Sequence, residues 1–372
     1  MTDASPAAVG GTALIGVVGA GTMGAGIAQV ALEHGHEVAL YDVDTAATER
    51  GRERIRDGLR RRAARASPAK GADAFVEARL AGLRSVTSLE DLAAGADFVI
   101  EAALEDLDLK RTIFTTLDST AAPDVPLATN TSAISVATIA AATAHPERVL
   151  GLHFFNPAPV MRLVEVVVAP RTDPDLAATA ADLMTSWDKV PVLVNDAPGF
   201  IVNRVNRAFT LEALRMLAGG DASIEAIDAA VEAAGYPLGP FAYMDLVGLD
   251  VNLAASIAIY EGLGRPERLR PSELQEALVE ADRLGRKRGI GFYRYAVAAD
   301  GGREIADPLG WPPPRASGAE ADAIVERIER AIEAEAAAVV AEGLATAEDV
   351  DRALQLGANH PTGSIERARA RS

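Results

Sequence analysis

The chain has 372 residues, 49% of them hydrophobic and 24% charged, with a net charge of −17 and no cysteine. That length holds two or three domains with their own cores, and no apolar run reaches the roughly 18 residues a membrane span needs. The composition excludes disulfides, thiolate nucleophiles and cysteine-based metal sites, and the acidic balance argues against a nucleic-acid partner. Residues 1–12 are small and polar and read as a tail. They lack the basic start and apolar core of a leader peptide, so the expected setting is cytoplasmic, with no membrane partner and no metal.

From residue 13 the pattern changes to a buried strand, Ala13-Leu14-Ile15-Gly16-Val17-Val18, which runs into Gly19-Ala20-Gly21-Thr22-Met23-Gly24 and an apolar helix through Leu32. Strand, glycine turn and helix in this order suit a dinucleotide. Gly19 permits the tight turn, Gly21 lets the backbone approach a pyrophosphate, and Gly24 lets the helix pack close to the sheet. The helix N-terminus, through Thr22 and Met23, then faces the phosphates. A second strand over 37–41 ends at Asp42, where a carboxylate accepts from an adenosine ribose and repels a 2′-phosphate, so NAD is favoured over NADP.

A long helix over 45–65 carries Arg52, Arg54, Arg56, Arg60, Arg61, Arg62 and Arg65, a density that keeps an anion-binding role open beside a solvated face. The strand over 97–103 brings Glu101 to its carboxyl end, with Glu105 and Lys110 following. The next strand leads to Asn130, Thr131 and Ser132, small polar residues at the edge of an open sheet where ligands bind. Strands over 149–154 and 163–168 carry His153 and Glu165, a histidine with a carboxylate twelve positions on, the pattern of a base and its orienter. Of the five histidines, only His153 is expected to be buried. A last strand over 189–194 precedes Pro198 and Gly199, where the sheet ends and a helical region bearing Asn203 begins.

By residues 15–295 the chain resembles the L-3-hydroxyacyl-CoA dehydrogenase family, through stretches 19–29, 130–132, 151–157, 160–166, 198–204, 235–240 and 289–293. The resemblance implies an α/β fold: a Rossmann-type doubly wound sheet domain over 13–195, then an all-α C-terminal domain over 196–295. It implies oxidation of a 3-hydroxyacyl-CoA by NAD, with His153 as base, Glu165 as its orienter, and Ser132 and Asn203 binding the substrate oxygen. Gly19, Gly21, Thr22, Met23, Gly24, Asp42, Glu105, Lys110 and Asn130 fall on the cofactor side, and Arg61, Arg62, Arg65 and Lys70 lie where the family holds CoA phosphates. A relative acting on a free hydroxy acid of the gulonate 3-dehydrogenase type, and a nucleotide-binding protein without catalysis, are the competing readings.

After residue 295 a Pro/Gly-rich linker leads to a segment that echoes the first helical region. Glu335 follows Glu212 by 123 positions, as do Gly343 and Gly220, Glu348 and Glu225, and Asp351 and Asp228; Pro361 and Gly363 follow Pro237 and Gly239 after one inserted residue. This partial second helical repeat, over 320–372, is cut short before its last helices. It is expected to pack on the helices of residues 200–260, in its own chain or exchanged with a neighbour, and to leave a homodimer joined through the helical domain.

Overall fold

Strands covered on both faces read as continuous apolar runs. Eight strands, most of them such runs, form one sheet in the computed structural model of the chain, which describes residues 11–66, 72–297, 302–308 and 321–371. They are β1 (Leu14–Val18), β2 (Glu37–Tyr41), β3 (Leu83–Ser85), β4 (Phe98–Glu101), β5 (Leu127–Thr129), β6 (Val149–Phe154), β7 (Leu163–Val168) and β8 (Val190–Asn195). Their order is β3-β2-β1-β4-β5-β6-β7-β8, so the direction of winding reverses at β1. All pairs are parallel except β6 with β7. The carboxyl ends of β1, β4, β5 and β6 therefore share one edge, and the switch point lies beside the glycine turn. The edge strand β3 has no counterpart in the sequence reading, because only Leu83 of its three residues is buried.

The described residues divide after Asp196 into two compact units. The second is helical, with a two-stranded antiparallel ribbon, Tyr293–Val297 against Arg303–Pro308, where the sequence suggested helices and then a linker. Asp245 anchors its start by accepting from the backbone N–H groups of Phe292 and Tyr293 at 3.0 and 2.9 Å. No single helix among the described residues is long and apolar enough to cross a membrane.

The internal repeat is visible in three dimensions. Ser223 caps the Ile224–Ala233 helix by accepting from Ala226 N, and Thr346, 123 positions on, caps Ala347–Gly357 by accepting from Asp349 N. Gly220 and Gly343 close the preceding helices with φ of 72° and 69°. Asp228 accepts from the backbone of Phe241 and Ala242, and Asp351 from that of Ile365 and Glu366. In each repeat the glycine facing this aspartate, Gly239 or Gly363, is required: a Cβ there would come within 2.2 or 2.5 Å of the carboxyl carbon.

The second repeat packs on the first within its own chain, the Ala321–Ala341 helix along Val202–Gly219. Arg204 pairs with Glu335 at 2.7 Å, and Arg327 pairs with Glu212 at 2.6 Å. Both members of the second pair sit 123 positions from their counterparts, so the contact is self-complementary like a twofold dimer interface. The two copies differ in burial: Arg204 is fully buried and Glu335 is 1% exposed, whereas the Arg327 side chain is 43% exposed.

This docking also buries His360, which the sequence placed in polar surroundings. The ring lies 5.2 Å from that of Tyr236 and 6.3 Å from that of Phe209, with Nε2 3.2 Å from Asn206 Oδ1. His36 is buried too, so His153 is not alone. Burial pushes the His360 imidazole down to about 4 from 6.5, favouring the neutral ring. A depressed folded-state value means that its stabilisation is complete above pH 6.5 and is lost as pH falls through 6.5 toward 4. That loss amounts to about 3 kcal/mol. Denaturant unfolding of wild type and His360→Gln at pH 7 and pH 4.5 should show the smaller acid-induced loss in the variant; equal losses would remove His360 from the account.

Candidate active site

The glycine turn follows β1 at the switch point. Gly19 has φ +98°, and a Cβ there would lie 2.5 Å from Ala102 O, so both conformation and space demand glycine. A Cβ on Gly24 would strike Gly19 O at 1.8 Å, which is how closely the Thr22–Glu33 helix packs on the turn. Gly21 faces open space, with no atom within 4 Å of such a Cβ, and as N-cap it offers no side chain to the first N–H groups of the helix. An anion can approach that backbone directly. Asp42, at the end of β2, turns its carboxylate toward the same turn and accepts from Ala20 N at 2.8 Å. These residues fit a dinucleotide: an open backbone cradle for the pyrophosphate and a carboxylate one strand away for the ribose.

The next two strand ends are tied together by charge. The buried Lys110 ammonium donates to both oxygens of buried Glu101 at 2.7 and 2.9 Å, and Thr129 donates to Glu101 as well. Glu105 gathers the following turn on a single oxygen, Oε1, which accepts from Thr131 Oγ1 at 2.6 Å, Ser132 N at 2.9 Å and Ala133 N at 3.1 Å. Burial works against its charge, yet the hydrogen bond from Thr131 and the nearby Lys110 ammonium hold its carboxyl below the usual range. Glu105 and Lys110 thus have work inside the chain, fixing the backbone that presents Ser132. Asn130, also expected on the cofactor side, accepts from Phe154 N at 2.9 Å through its side-chain oxygen and so braces β6 one residue beyond His153.

His153 and Glu165 are directly opposite one another in the antiparallel β6–β7 register. Cross-strand partners project to the same face, and here Nδ1 lies 2.6 Å from Glu165 Oε2. Glu165 is fully buried and His153 is 6% exposed. A carboxylate accepts, so Nδ1 donates to Glu165. The ring of Phe155 packs 4.5 Å from the imidazole. Such a pair can take a proton from an alcohol and return it to a carbonyl.

Arg61, Arg62 and Arg65 come together with Arg54 around a cavity of about 500 Å³. Its other walls include Thr22, Gly26, Gln29 and Glu33 of the glycine-turn helix, Glu33 lying 3.8 Å from Arg62, and Pro157, Pro159 and Val160 of the loop after β6. Sequence reasoning counted Arg54 only among a run of arginines; its guanidinium reaches Ala20 O at 3.3 Å. Its place three positions after Gly51, which packs on Ala20, is the signal that separates it from its neighbours. Lys70 lies outside the described residues. Asn203 stands on the first turn of the Val202–Gly219 helix and belongs to the second unit.

Comparison with known proteins adds independent support. The family model described as the 3-hydroxyacyl-CoA dehydrogenase NAD-binding domain matches residues 14–197. The model of the C-terminal domain of the same family matches residues 199–295 and again 324–370, the two helical repeats. The chain is 46% identical over 280 residues to 3-hydroxyadipyl-CoA dehydrogenase of Escherichia coli (strain K12), an alignment covering 75% of this chain and 58% of that relative. It is 41% identical over 282 residues to the mitochondrial hydroxyacyl-coenzyme A dehydrogenase of Rattus norvegicus, covering 75% and 90%. Among solved structures, 3-hydroxybutyryl-CoA dehydrogenase from Escherichia coli K12 superposes with a TM-score of 0.85 at 34% identity, covering 97% of this chain and 92% of that one. With the nucleotide-binding half and both helical repeats accounted for, the chain belongs to the 3-hydroxyacyl-CoA dehydrogenase family and uses NAD.

Proposed function

We propose that the chain catalyses the reversible oxidation of an L-3-hydroxyacyl-CoA to the 3-oxoacyl-CoA, with His153 as base and Glu165 as its orienter. The observation that carries this reading is the 2.6 Å Nδ1–Oε2 pair on the sheet edge that also bears the glycine turn. When bound, NAD supplies the acceptor for the C3 hydride. The His153 Nε2 lone pair takes the hydroxyl proton, and the Glu165 carboxylate offsets the imidazolium charge that results. In the reverse direction the imidazolium returns the proton to the 3-oxo oxygen. Ser132 and Asn203 hold that oxygen in this reading. Gly19, Gly21, Thr22, Met23, Gly24 and Asp42 hold the dinucleotide, with Asn130, Glu105 and Lys110 shaping the nicotinamide side.

The arginine cavity supports a CoA ester as substrate. Guanidinium groups bind phosphate oxygens in bidentate fashion, and a free hydroxy acid has no phosphates to engage Arg54, Arg61 and Arg65. The names of the relatives point to the same substrate class. The experiment is a comparison of kcat/KM for 3-hydroxybutyryl-CoA, longer and dicarboxylic 3-hydroxyacyl-CoAs, and the corresponding free acids. Preference for a CoA ester is expected; turnover of free acids alone would replace this reading with the gulonate type. Binding of NAD without turnover of any of them would leave a nucleotide-binding protein.

The homodimer belongs to the same proposal. Leu246, Val247, Val251 and Ile257 of the second unit are 37–53% exposed and offer apolar surface to a second copy. Light scattering of the purified chain should give the mass of two copies; the mass of one would remove the dimer. A cytoplasmic setting completes the reading, resting on the composition alone.

A further inference from the structure

Lys189, at the entrance to β8, is buried, with 7% of its surface exposed, and points away from solvent. Its ammonium donates to Ala158 O at 2.6 Å and to Met161 O at 2.9 Å. Both carbonyls belong to the short loop between β6 and β7, which begins two residues after His153 and ends three residues before Glu165. The loop is also stitched internally, Val160 N and Met161 N both donating to Pro157 O at 2.9 and 3.0 Å. Its other side rests on the glycine-turn helix: a Cβ added to Gly26 would lie 3.2 Å from Ala158 Cβ and from Pro159 Cδ. The face of the loop that remains, Pro157, Pro159 and Val160, is a wall of the arginine cavity. Pro159, Val160, Glu33 and Arg62 also line a second cavity of about 240 Å³, into which Lys189 itself faces.

We propose that Lys189 is a positioning residue for acyl-CoA binding, its ammonium holding the Pro157–Val160 wall in the shape that the substrate meets. The proposal rests on the reading of the arginine cavity as the CoA site. A charged donor gripping two carbonyls is a stronger tie than a neutral one, and a tie made inside a low-dielectric region is not screened away. The charged and titratable groups facing it are Glu33 from the glycine-turn helix, His34 just after it and 3.4 Å from Asp188, Arg62 from the Thr45–Ala66 helix, Arg162 from the loop and Asp188 from its own segment. Burial pulls the amine down to about 8 against the opposing pull of Glu33 and Asp188, so the ammonium predominates at pH 7 and is lost as pH rises through about 8.

The test is steady-state kinetics of the full chain with 3-hydroxybutyryl-CoA and NAD. Lys189→Met should raise the acyl-CoA KM by about tenfold or more at pH 7, with kcat and the NAD KM held within about threefold. In the wild type the acyl-CoA KM should climb between pH 7 and about 10, and in Lys189→Arg, which stays charged throughout, that climb should vanish. A merely structural lysine would not produce the second result. An acyl-CoA KM unchanged in Lys189→Met, equal rises in both KM values, or the same pH profile in wild type and Lys189→Arg would overturn the proposal. Should Lys189→Met fail to fold, the wild-type and Lys189→Arg profiles decide alone. Arg61→Glu separates the two levels of the argument. If it leaves the acyl-CoA KM unchanged, the CoA reading of the cavity fails; if it raises that KM while the lysine variants do not, only the role of Lys189 falls.

Discussion

His153→Gln is expected to lower kcat by at least about a thousandfold while NAD affinity stays within about twofold of wild type. The reason is local. The imidazole acts on the substrate hydroxyl, whereas the dinucleotide is held by the glycine turn and Asp42, on other strands. Gln keeps a hydrogen-bonding group of similar reach but cannot take the proton, so binding survives and the chemical step does not. Glu165→Gln should also be severe but less so, because the carboxylate orients the ring and balances its charge without accepting the proton. The amide can still accept from Nδ1, and what it loses is the charge facing the imidazolium. Fluorescence titration with NADH, beside initial rates, checks both halves. Near-normal turnover in His153→Gln would refute the assignment, and loss of NAD affinity would mean that the pair supports the fold more than the reaction.

The second large effect is expected on stability. Arg204 is fully buried, with Nε on Glu335 at 2.7 Å and both terminal nitrogens on Glu342 at 2.7 Å. Arg268 closes the network through Glu335 at 2.5 Å. Stranding a buried charge without water costs about 3–5 kcal/mol; here Arg268 still holds Glu335 and Glu342 is 45% exposed, which puts the loss at the lower end. Arg204→Met should therefore destabilise the helical unit by about that much, whereas Arg327→Met, at the repeat-related but exposed position, should cost about 1 kcal/mol or less. Adding Glu335→Leu to Arg204→Met should recover part of the loss, because an apolar pair leaves no isolated charge. Chemical denaturation followed by circular dichroism measures all three. Equal effects at Arg204 and Arg327 would show that burial does not set the strength of the two pairs.

The contrast between these repeat-related pairs shows what could be read from the sequence. Constant separations of 123 between Glu212 and Glu335, and between Asp228 and Asp351, are sufficient to detect a duplication. They carry no information on which copy of the arginine–glutamate pair is buried, since that depends on Arg268 arriving from a distant part of the chain and on Glu342, at whose repeat-related position stands Gly219. The same holds in the sheet. The apolar runs over β6 and β7 were legible, and with them the prospect that His153 and Glu165 lie on strands; the antiparallel register that sets them face to face is a tertiary fact. Glu105 was legible as a residue of the site but not in what it does there. It stands 26 residues before Thr131, and no local pattern announces that one of its oxygens organises Thr131, Ser132 and Ala133. His360 escaped for the opposite reason: its neighbours in sequence are polar, and Phe209 and Tyr236 cover it only once the second repeat has docked.

Duplication within one chain also bears on assembly. The self-complementary Arg204–Glu335 and Arg327–Glu212 contacts use a face of the first repeat that a second copy of the chain could otherwise occupy. Any dimer would then form through other surface.

Hydride transfer from C3 of an L-3-hydroxyacyl-CoA to NAD is read most simply as absorbance at the reduced-nicotinamide band after mixing the purified chain with NAD and L-3-hydroxybutyryl-CoA. A rise that follows the L isomer, is absent with the D isomer and disappears in His153→Gln is the result predicted. No reduced nicotinamide from short, medium or dicarboxylic L-3-hydroxyacyl-CoAs, in protein shown to bind NAD, would contradict it.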